Sequence, residues 1–178
     1  MKTDKELIFE QYLIVNEQDR QNPVVNSNGT KRYYNERGER HREDGPAIER
    51  ADGSKVWYIN DKLHREDGPA VEYANGDKYW YINDKRHRED GPAIERADGL
   101  KEWYINNKRH REDGPAAEWP DGSKEWFIND IFYDTIPGWT AALFEYKGWT
   151  PEFLKNKGMD YDQLTNVYAQ KMMRKYED

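Results

Sequence analysis

Apolar residues in the middle of this chain come in short clusters, separated by polar residues, that return at a fixed distance. A tryptophan, a second aromatic residue and an isoleucine recur every 23 residues, starting at Trp57, Trp80, Trp103 and Trp126. Such short runs between turn residues are typical of β-strands, and a fixed period of this length indicates a repeat architecture. Parallel strands need crossover connections for which the period leaves no room. We therefore predict a mainly β fold, an elongated antiparallel meander of repeated hairpins.

Turn residues close each strand pair. Asn or Asp followed by Gly occurs once per repeat, at Asn28-Gly29, Asp52-Gly53, Asn75-Gly76, Asp98-Gly99 and Asp121-Gly122. These pairs favour two-residue hairpin turns with positive φ at both positions. Weaker turn pairs stand at the opposite strand ends, at Asn60-Asp61, Asn83-Asp84, Asn106-Asn107 and Asn129-Asp130.

A two-residue turn at Asp52-Gly53 also fixes a register, in which Ile48 lies opposite Trp57 and Ala47 opposite Tyr58. This register predicts one face that carries the four tryptophans together with Ile59, Ile82, Ile105 and Ile128. The reverse face then carries an aromatic stripe of Tyr58, Tyr81, Tyr104 and Phe127.

The two ends of the chain differ from the array of residues 23–130. Residues 1–22 contain Thr3 and Glu6 in a capping-box arrangement, which predicts a short helix. Residues 131–178 predict a small helical region, with Thr150-Pro151 starting one helix and Asp160 with Gln163 starting the last. We expect Leu164, Val167, Tyr168, Met172 and Tyr176 to form the apolar face of that last helix, and the region to cap the open end of the array.

The heptapeptide His-Arg-Glu-Asp-Gly-Pro-Ala is repeated four times, starting at His41, His64, His87 and His110. Because residues that build a repeat recur in every copy, we interpret the motif as structural, bending each strand at Asp-Gly-Pro. The alternative is an anion-binding rail formed by these four histidines with Arg42, Arg65, Arg88 and Arg111. Histidines roughly 10 Å apart in neighbouring repeats cannot share a metal ion, so we predict no metal site, no catalytic residue and no cofactor.

Composition narrows the class of partner. The net charge of −7 disfavours general binding of nucleic acid or of anionic lipid. The chain has no cysteine, no long apolar run and no signal-peptide pattern in its first 20 residues, so we expect a cytoplasmic protein without a membrane segment.

Positions that vary between repeats predict where a partner binds. Val56 and Tyr79 are replaced by Glu102 and Glu125 in later repeats, and Arg50, Tyr73 and Arg96 by Trp119. The first half of the array is thus more aromatic and the second half more acidic, which suits one asymmetric protein partner. The predicted contact residues are Tyr58, Tyr79, Tyr81, Tyr104, Glu102, Glu125 and Trp119.

The repeat unit resembles the MORN repeat family, in the variant with the His-Arg-x-Asp-Gly-Pro-Ala signature that occurs in bacteriophage and bacterial proteins. Trp57, Lys62, His64 and Gly68 match the aromatic, lysine, histidine and glycine positions of that family, although Arg65 stands where it has a glycine. The resemblance covers residues 28–130 and implies an antiparallel meander used for protein association, without enzymatic activity.

Three functions stay open at this point. The leading hypothesis is a non-enzymatic binding protein, a bacteriophage accessory or counter-defence factor that inhibits a protein in the host cytoplasm. The second is a protein that sequesters a small ligand, with aromatic rings stacking on a base or sugar and arginines holding a phosphate. The third is a structural protein whose copies associate through their sheet edges.

Overall fold

The computed structural model describes residues 23–176, and the helix expected within residues 1–22 lies outside that range. The predicted fold class is confirmed: the protein is mainly β, with a long antiparallel sheet of 11 strands in hairpin order, three two-stranded sheets and a small C-terminal helical region. The strands are β1 (Val24–Val25), β2 (Lys31–Arg32), β3 (Ile48–Glu49), β4 (Lys55–Val56), β5 (Tyr58–Ile59), β6 (Lys62–Leu63), β7 (Val71–Glu72), β8 (Lys78–Tyr79), β9 (Tyr81–Ile82), β10 (Lys85–Arg86), β11 (Ile94–Glu95), β12 (Lys101–Glu102), β13 (Tyr104–Ile105), β14 (Lys108–Arg109), β15 (Ala117–Glu118), β16 (Lys124–Ile128) and β17 (Ile131–Tyr133).

Each full repeat contains two short hairpins. In the first, β3 pairs with β4 in the long sheet, and in the second, β5 pairs with β6 in a separate two-stranded sheet. The strand that the sequence predicted as continuous is interrupted at Trp57, whose backbone N–H donates to the carbonyl of Ala70 at 2.8 Å. The proline and glycine of the motif lie in the bend that follows the second hairpin.

The turn chemistry is the reverse of the prediction. The Asp-Gly turns have three-residue loops: Arg50 donates to the Ser54 carbonyl at 2.8 Å, and only Gly53, at φ 91°, has a positive φ. A three-residue loop of this kind is a type I turn followed by a residue in the left-handed region, a position that favours glycine. The tight two-residue turns are instead the Asn-Asp pairs, where φ is 50° at Asn60 and 62° at Asp61.

The longer loop shifts the register by one residue. Ile48 lies opposite Val56 and Glu49 opposite Lys55, so the predicted pairing of Ile48 with Trp57 is wrong. Because side chains alternate between the faces of a strand, the shift moves Ile48 to the face that carries Tyr58.

The chain divides into two compact units, residues 1–85 and 86–178. In the first unit the buried side chains of Ile48, Val56 and Val71 form the core. Tyr58, Leu63, Tyr79 and Tyr81 are half-buried and pack against it.

The second unit contains three helices and has a larger core, in which the first and the third of these helices pack against the last hairpin. Among the described residues these helices are α1 (Ile136–Tyr146), α2 (Pro151–Asn156) and α3 (Tyr161–Tyr176). The predicted helix starts are confirmed, because Thr150 accepts from the Phe153 N–H and Asp160 accepts from the Gln163 N–H. The predicted face of α3 is partly wrong: Met172 is buried and Tyr168 and Tyr176 pack on the core, but Val167 is 59% exposed and Leu164 is 36% exposed.

The helical region caps the last repeat through Trp126. In earlier repeats an arginine from the next motif lies over the equivalent ring, as Arg111 does over Trp103 at 3.8 Å. Trp126 is covered instead by the rings of Trp139 at 4.8 Å and Tyr176 at 5.4 Å. Aromatic rings from the helices thus lie where the earlier repeats have the arginine of the next motif.

Candidate protein-binding surface

The repeated motif folds into four equivalent loops, which we name the motif loops: residues 41–45, 64–68, 87–91 and 110–114. In the second loop the guanidinium of Arg65 donates from Nε to Asp67 at 2.8 Å, and from Nη1 to Glu72 at 3.1 Å and to the Pro69 carbonyl at 3.3 Å. The same three kinds of bond recur in the other loops. A Cβ on Gly68 would lie 2.9 Å from the Arg65 Cζ, so the glycine leaves room for the arginine to fold back over the loop.

Each motif arginine also joins two repeats. Arg65 lies over the ring of Trp57 from the preceding strand, with 4.1 Å between its Cζ and the ring centroid. Hydrogen bonding to the arginines lowers the pKa of Asp44, Asp67 and Asp90 below the usual range of an aspartate. These contacts support the structural interpretation of the motif.

The motif histidines bind the tight turns of the following repeat. Nδ1 of His41 accepts the backbone N–H of Asn60 at 3.2 Å, and His87 and His110 make the equivalent bonds to Asn106 and Asn129. An Nδ1 that accepts a hydrogen bond leaves the proton of the neutral ring on Nε2, which faces a glutamate, Glu43 in the first loop, at 3.6 Å. These bonds support the left-handed conformation of the asparagines, because the N–H of each one has a partner.

The predicted anion rail lies on these same residues and stays a prediction. Each of Arg42, Arg65, Arg88 and Arg111 already contacts two carboxylates, the aspartate of its own loop and the glutamate of the strand that follows the loop. A bound anion has to compete with those carboxylates. Within residues 23–176, no group of three or more acidic or histidine side chains is arranged to hold a metal ion.

Three of the predicted contact residues meet in the first unit. Tyr58, Tyr79 and Tyr81 line a concavity of about 300 Å³, which we name the tyrosine pocket. Its other lining residues are Arg50, Val56, Leu63, Val71 and Tyr73. Tyr73 is 39% exposed at the rim, and its ring meets that of Tyr79 edge to face at 5.7 Å. The pocket therefore presents four tyrosines on an apolar floor, with Arg50 beside them.

The floor of the tyrosine pocket follows directly from strand register. Val56 lies opposite Ile48 on one side and opposite Val71 on the other, and Val71 lies opposite Tyr79. These four residues form one row across neighbouring strands, so their side chains point to the same face. Sequence reasoning missed Tyr73 and Leu63. Placing Tyr73 on the face of Tyr79 requires the one-residue shift in register, whereas Leu63 lies opposite Tyr58 across the Asn60-Asp61 turn.

The other four predicted residues lie in the second unit, and two of them are buried. Glu102 and Tyr104 are each 7% exposed, and Arg109 bonds to both, at 2.8 Å to the carboxylate and 3.1 Å to the hydroxyl. Burial acts to lower the pKa of Arg109, but the Tyr104 hydrogen bond and the charge of Glu102 outweigh it and raise the pKa. Glu125 lies 3.7 Å from the same guanidinium.

Trp119 is 37% exposed and is the one large apolar side chain among these four that reaches the surface. The second unit thus buries Tyr104, whereas its counterpart in the first unit, Tyr58, is half-buried. We name Glu102, Tyr104, Arg109 and Glu125 the charged cluster.

No family model and no curated protein matches this chain. Within residues 23–176, every helix is too short or too polar to cross a membrane.

Proposed function

We propose that this protein is a non-enzymatic, protein-binding repeat protein, and that the tyrosine pocket is its contact surface. The observation that carries the proposal is the cluster of Tyr58, Tyr73, Tyr79 and Tyr81 around one concavity. Tyrosine and arginine are enriched among the residues that dominate binding energy, and such residues act from well-packed pockets. Arg50, whose Cζ lies 5.7 Å above the ring of Tyr73, supplies an adjacent cation.

A partner for this pocket inserts an apolar or aromatic side chain and places an acidic group next to Arg50. The resemblance of the repeats to the MORN family supports protein association as the use of the array. That same resemblance is the basis for proposing a bacteriophage factor that inhibits a protein of its bacterial host.

The experiment is native mass spectrometry of the affinity-tagged protein after gentle isolation from a bacterial host lysate. We expect a co-purifying protein at fixed stoichiometry, and we expect the double variant Tyr73→Ser/Tyr81→Ser to lose it. The matched control, Phe153→Ser/Val167→Ser, removes two exposed apolar side chains from the helical region, at 43% and 59% exposure. Circular dichroism must first establish that both variants are folded. Equal retention of the partner by both variants would exclude the pocket as the contact surface.

A small ligand is the second candidate for the same pocket, favoured by the position of Arg50 beside the tyrosine rings. Its volume of about 300 Å³ is at the lower end of the range for ligand sites. The same spectra then carry an added mass of a few hundred daltons, and a nucleotide or sugar phosphate raises the melting temperature of the wild type but not of Tyr73→Ser/Tyr81→Ser.

A further inference from the structure

The fourth motif loop differs from the others because the helical region covers it. The Glu112 side chain is 38% exposed there, whereas the equivalent Glu89 side chain of the third loop is 86% exposed. The His110 side chain is 5% exposed, compared with 21% for His87. The fourth loop therefore shows which side chains can bind a motif loop.

The contacts to the fourth loop come from tyrosines and lysines. The hydroxyl of Tyr168 donates to the Glu112 carbonyl at 3.3 Å, and that of Tyr176 donates to the Asp113 carbonyl at 3.0 Å. Lys175 reaches the same Asp113 carbonyl at 3.4 Å, and Lys147 forms an ion pair with the Glu112 carboxylate. The ring of Tyr146 meets His110 edge to face at 4.9 Å.

In these contacts the backbone carbonyls and the Glu112 carboxylate of the loop accept and the helical region donates, while Arg111 of the loop also donates to the Tyr176 hydroxyl at 3.5 Å. The folded-back Arg111 binds Asp113, Glu118 and the Pro115 carbonyl, which leaves the carbonyls of Glu112 and Asp113 directed outwards. Burial and the nearby charge of Asp113 raise the pKa of Tyr168, so this hydroxyl keeps its proton and stays a donor.

The third motif loop has the same arginine bonds and borders an open groove. Arg88 binds Asp90, Glu95 and the Pro92 carbonyl as its counterpart Arg111 does in the fourth loop. The groove has a volume of about 790 Å³, with Trp103 and Ile105 among its lining, the third loop on one side and the fourth loop with Tyr146 on the other. It is thus continuous with the surface on which the helical region already packs.

We propose that this groove binds a helix of a protein partner that carries tyrosine and lysine, with the tyrosines placed as those of α3 are on the fourth loop and the lysine placed as Lys147, which follows α1, is on Glu112. The tyrosine hydroxyls donate to the carbonyls of the third loop, and the lysine pairs with the exposed carboxylate of Glu89. Acceptor atoms and carboxylates at the mouth disfavour a phosphate or nucleic acid in this position. The proposal rests on the second unit alone and is independent of the tyrosine pocket.

The test uses a fluorescent peptide with the sequence of residues 160–176, held helical by a lactam between Asn166→Glu and Gln170→Lys. Both substituted side chains are exposed in the intact protein, so the lactam leaves the binding face unchanged. Fluorescence anisotropy measures its affinity for the full chain. We expect saturable binding, and about fivefold weaker binding when Tyr168 and Tyr176 of the peptide are replaced by phenylalanine.

A matched pair of variants identifies the motif loop to which the peptide binds. Glu89→Lys in the third loop is expected to weaken binding about fivefold, because it places a positive charge beside a peptide whose last turns carry Lys171, Arg174 and Lys175. Glu43→Lys makes the same change in the first loop, where the side chain is 84% exposed, and is expected to change the affinity less than twofold. Absence of binding, or equal effects of the two variants, would overturn the proposal. So would binding that Glu89→Lys leaves unchanged, because the peptide would then be exchanging with α3 on the fourth loop.

Discussion

The first and second units carry equivalent rows of four residues across neighbouring strands, with different side chains at three of the four positions. In the first unit the row is Ile48, Val56, Val71 and Tyr79, and in the second it is Ile94, Glu102, Ala117 and Glu125. The registers are identical. The backbone is therefore set by residues that recur in every repeat, and the character of the surface is set by positions that vary.

The two rows differ in whether another side chain of the same unit covers them. Leu63 of the first unit corresponds to Arg109 of the second, which reaches over the row to Glu102 and Glu125. The charged cluster satisfies its own polar groups and buries Tyr104, whereas the tyrosine pocket leaves its equivalent, Tyr58, half-buried beside an open concavity. This difference is why we propose the tyrosine pocket, and not the charged cluster, as a contact surface.

The largest expected effect concerns the core that the helices form in the second unit. Among the described residues, the first unit has no helix and no such core. Trp139 is fully buried, so Trp139→Ala should lower the free energy of unfolding of this unit by about 3–5 kcal/mol. Tyr81→Ala truncates a half-buried side chain of the first unit and should cost about 1–2 kcal/mol. Urea denaturation followed by circular dichroism measures both values.

Trp139→Phe provides the control for this prediction. The indole N–H of Trp139 is buried and has no hydrogen-bond partner among the described residues, so phenylalanine removes an unsatisfied donor as well as some volume. It should cost clearly less than alanine. Equal costs for Trp139→Ala and Tyr81→Ala would contradict the view that the helices supply the larger core.

A double-mutant cycle can convert the charged cluster to the first unit's residues. Glu102→Val alone leaves Arg109 without its closest carboxylate and should cost about 1–2 kcal/mol, since the guanidinium is partly exposed to solvent. Arg109→Leu alone leaves a buried carboxylate and should cost about 2–3 kcal/mol. The double variant should come within about 1 kcal/mol of the wild type, because removing both members of a buried pair is often neutral. Additive losses would mean that the two rows are not interchangeable.

Much of the fold could be predicted because its signals are local. The 23-residue period indicated the antiparallel hairpins, and Thr150 and Asp160 marked helix starts within one turn of the residues that they cap. The register could not be predicted in the same way, since Asp52-Gly53 is compatible with two loop lengths that place Ile48 on opposite faces.

The turn at Asn60-Asp61 was underestimated for a different reason. Its positive φ angles are supported by His41 and by the backbone of Arg40, about 20 residues away in sequence, which a local turn rule does not include. The same limit applies to the site. The recurring aromatic stripe predicted Tyr58 and Tyr81, and variation between repeats predicted Tyr79. The burial of Glu102 and Tyr104 could not be predicted, because it depends on Arg109, whose position follows from the pairing of β13 with β14.

The smallest expected effect concerns the motif loops, which should be equivalent in the two units. Asp67 in the first unit and Asp90 in the second each accept a hydrogen bond from the arginine of their loop, which lowers the pKa of both carboxyls. A carboxyl with a lowered pKa contributes stability above its unfolded pKa of about 3.9, and this contribution is lost as pH falls through the folded value. Asp67→Asn and Asp90→Asn should therefore melt slightly below the wild type at pH 7, and the difference should vanish in acid.

Glu66→Gln, an exposed neighbour, is the control for charge loss in general. Melting temperatures across this pH range should give equal shifts for the two aspartate variants; unequal shifts would mean that the motif loops, too, have diverged between the units.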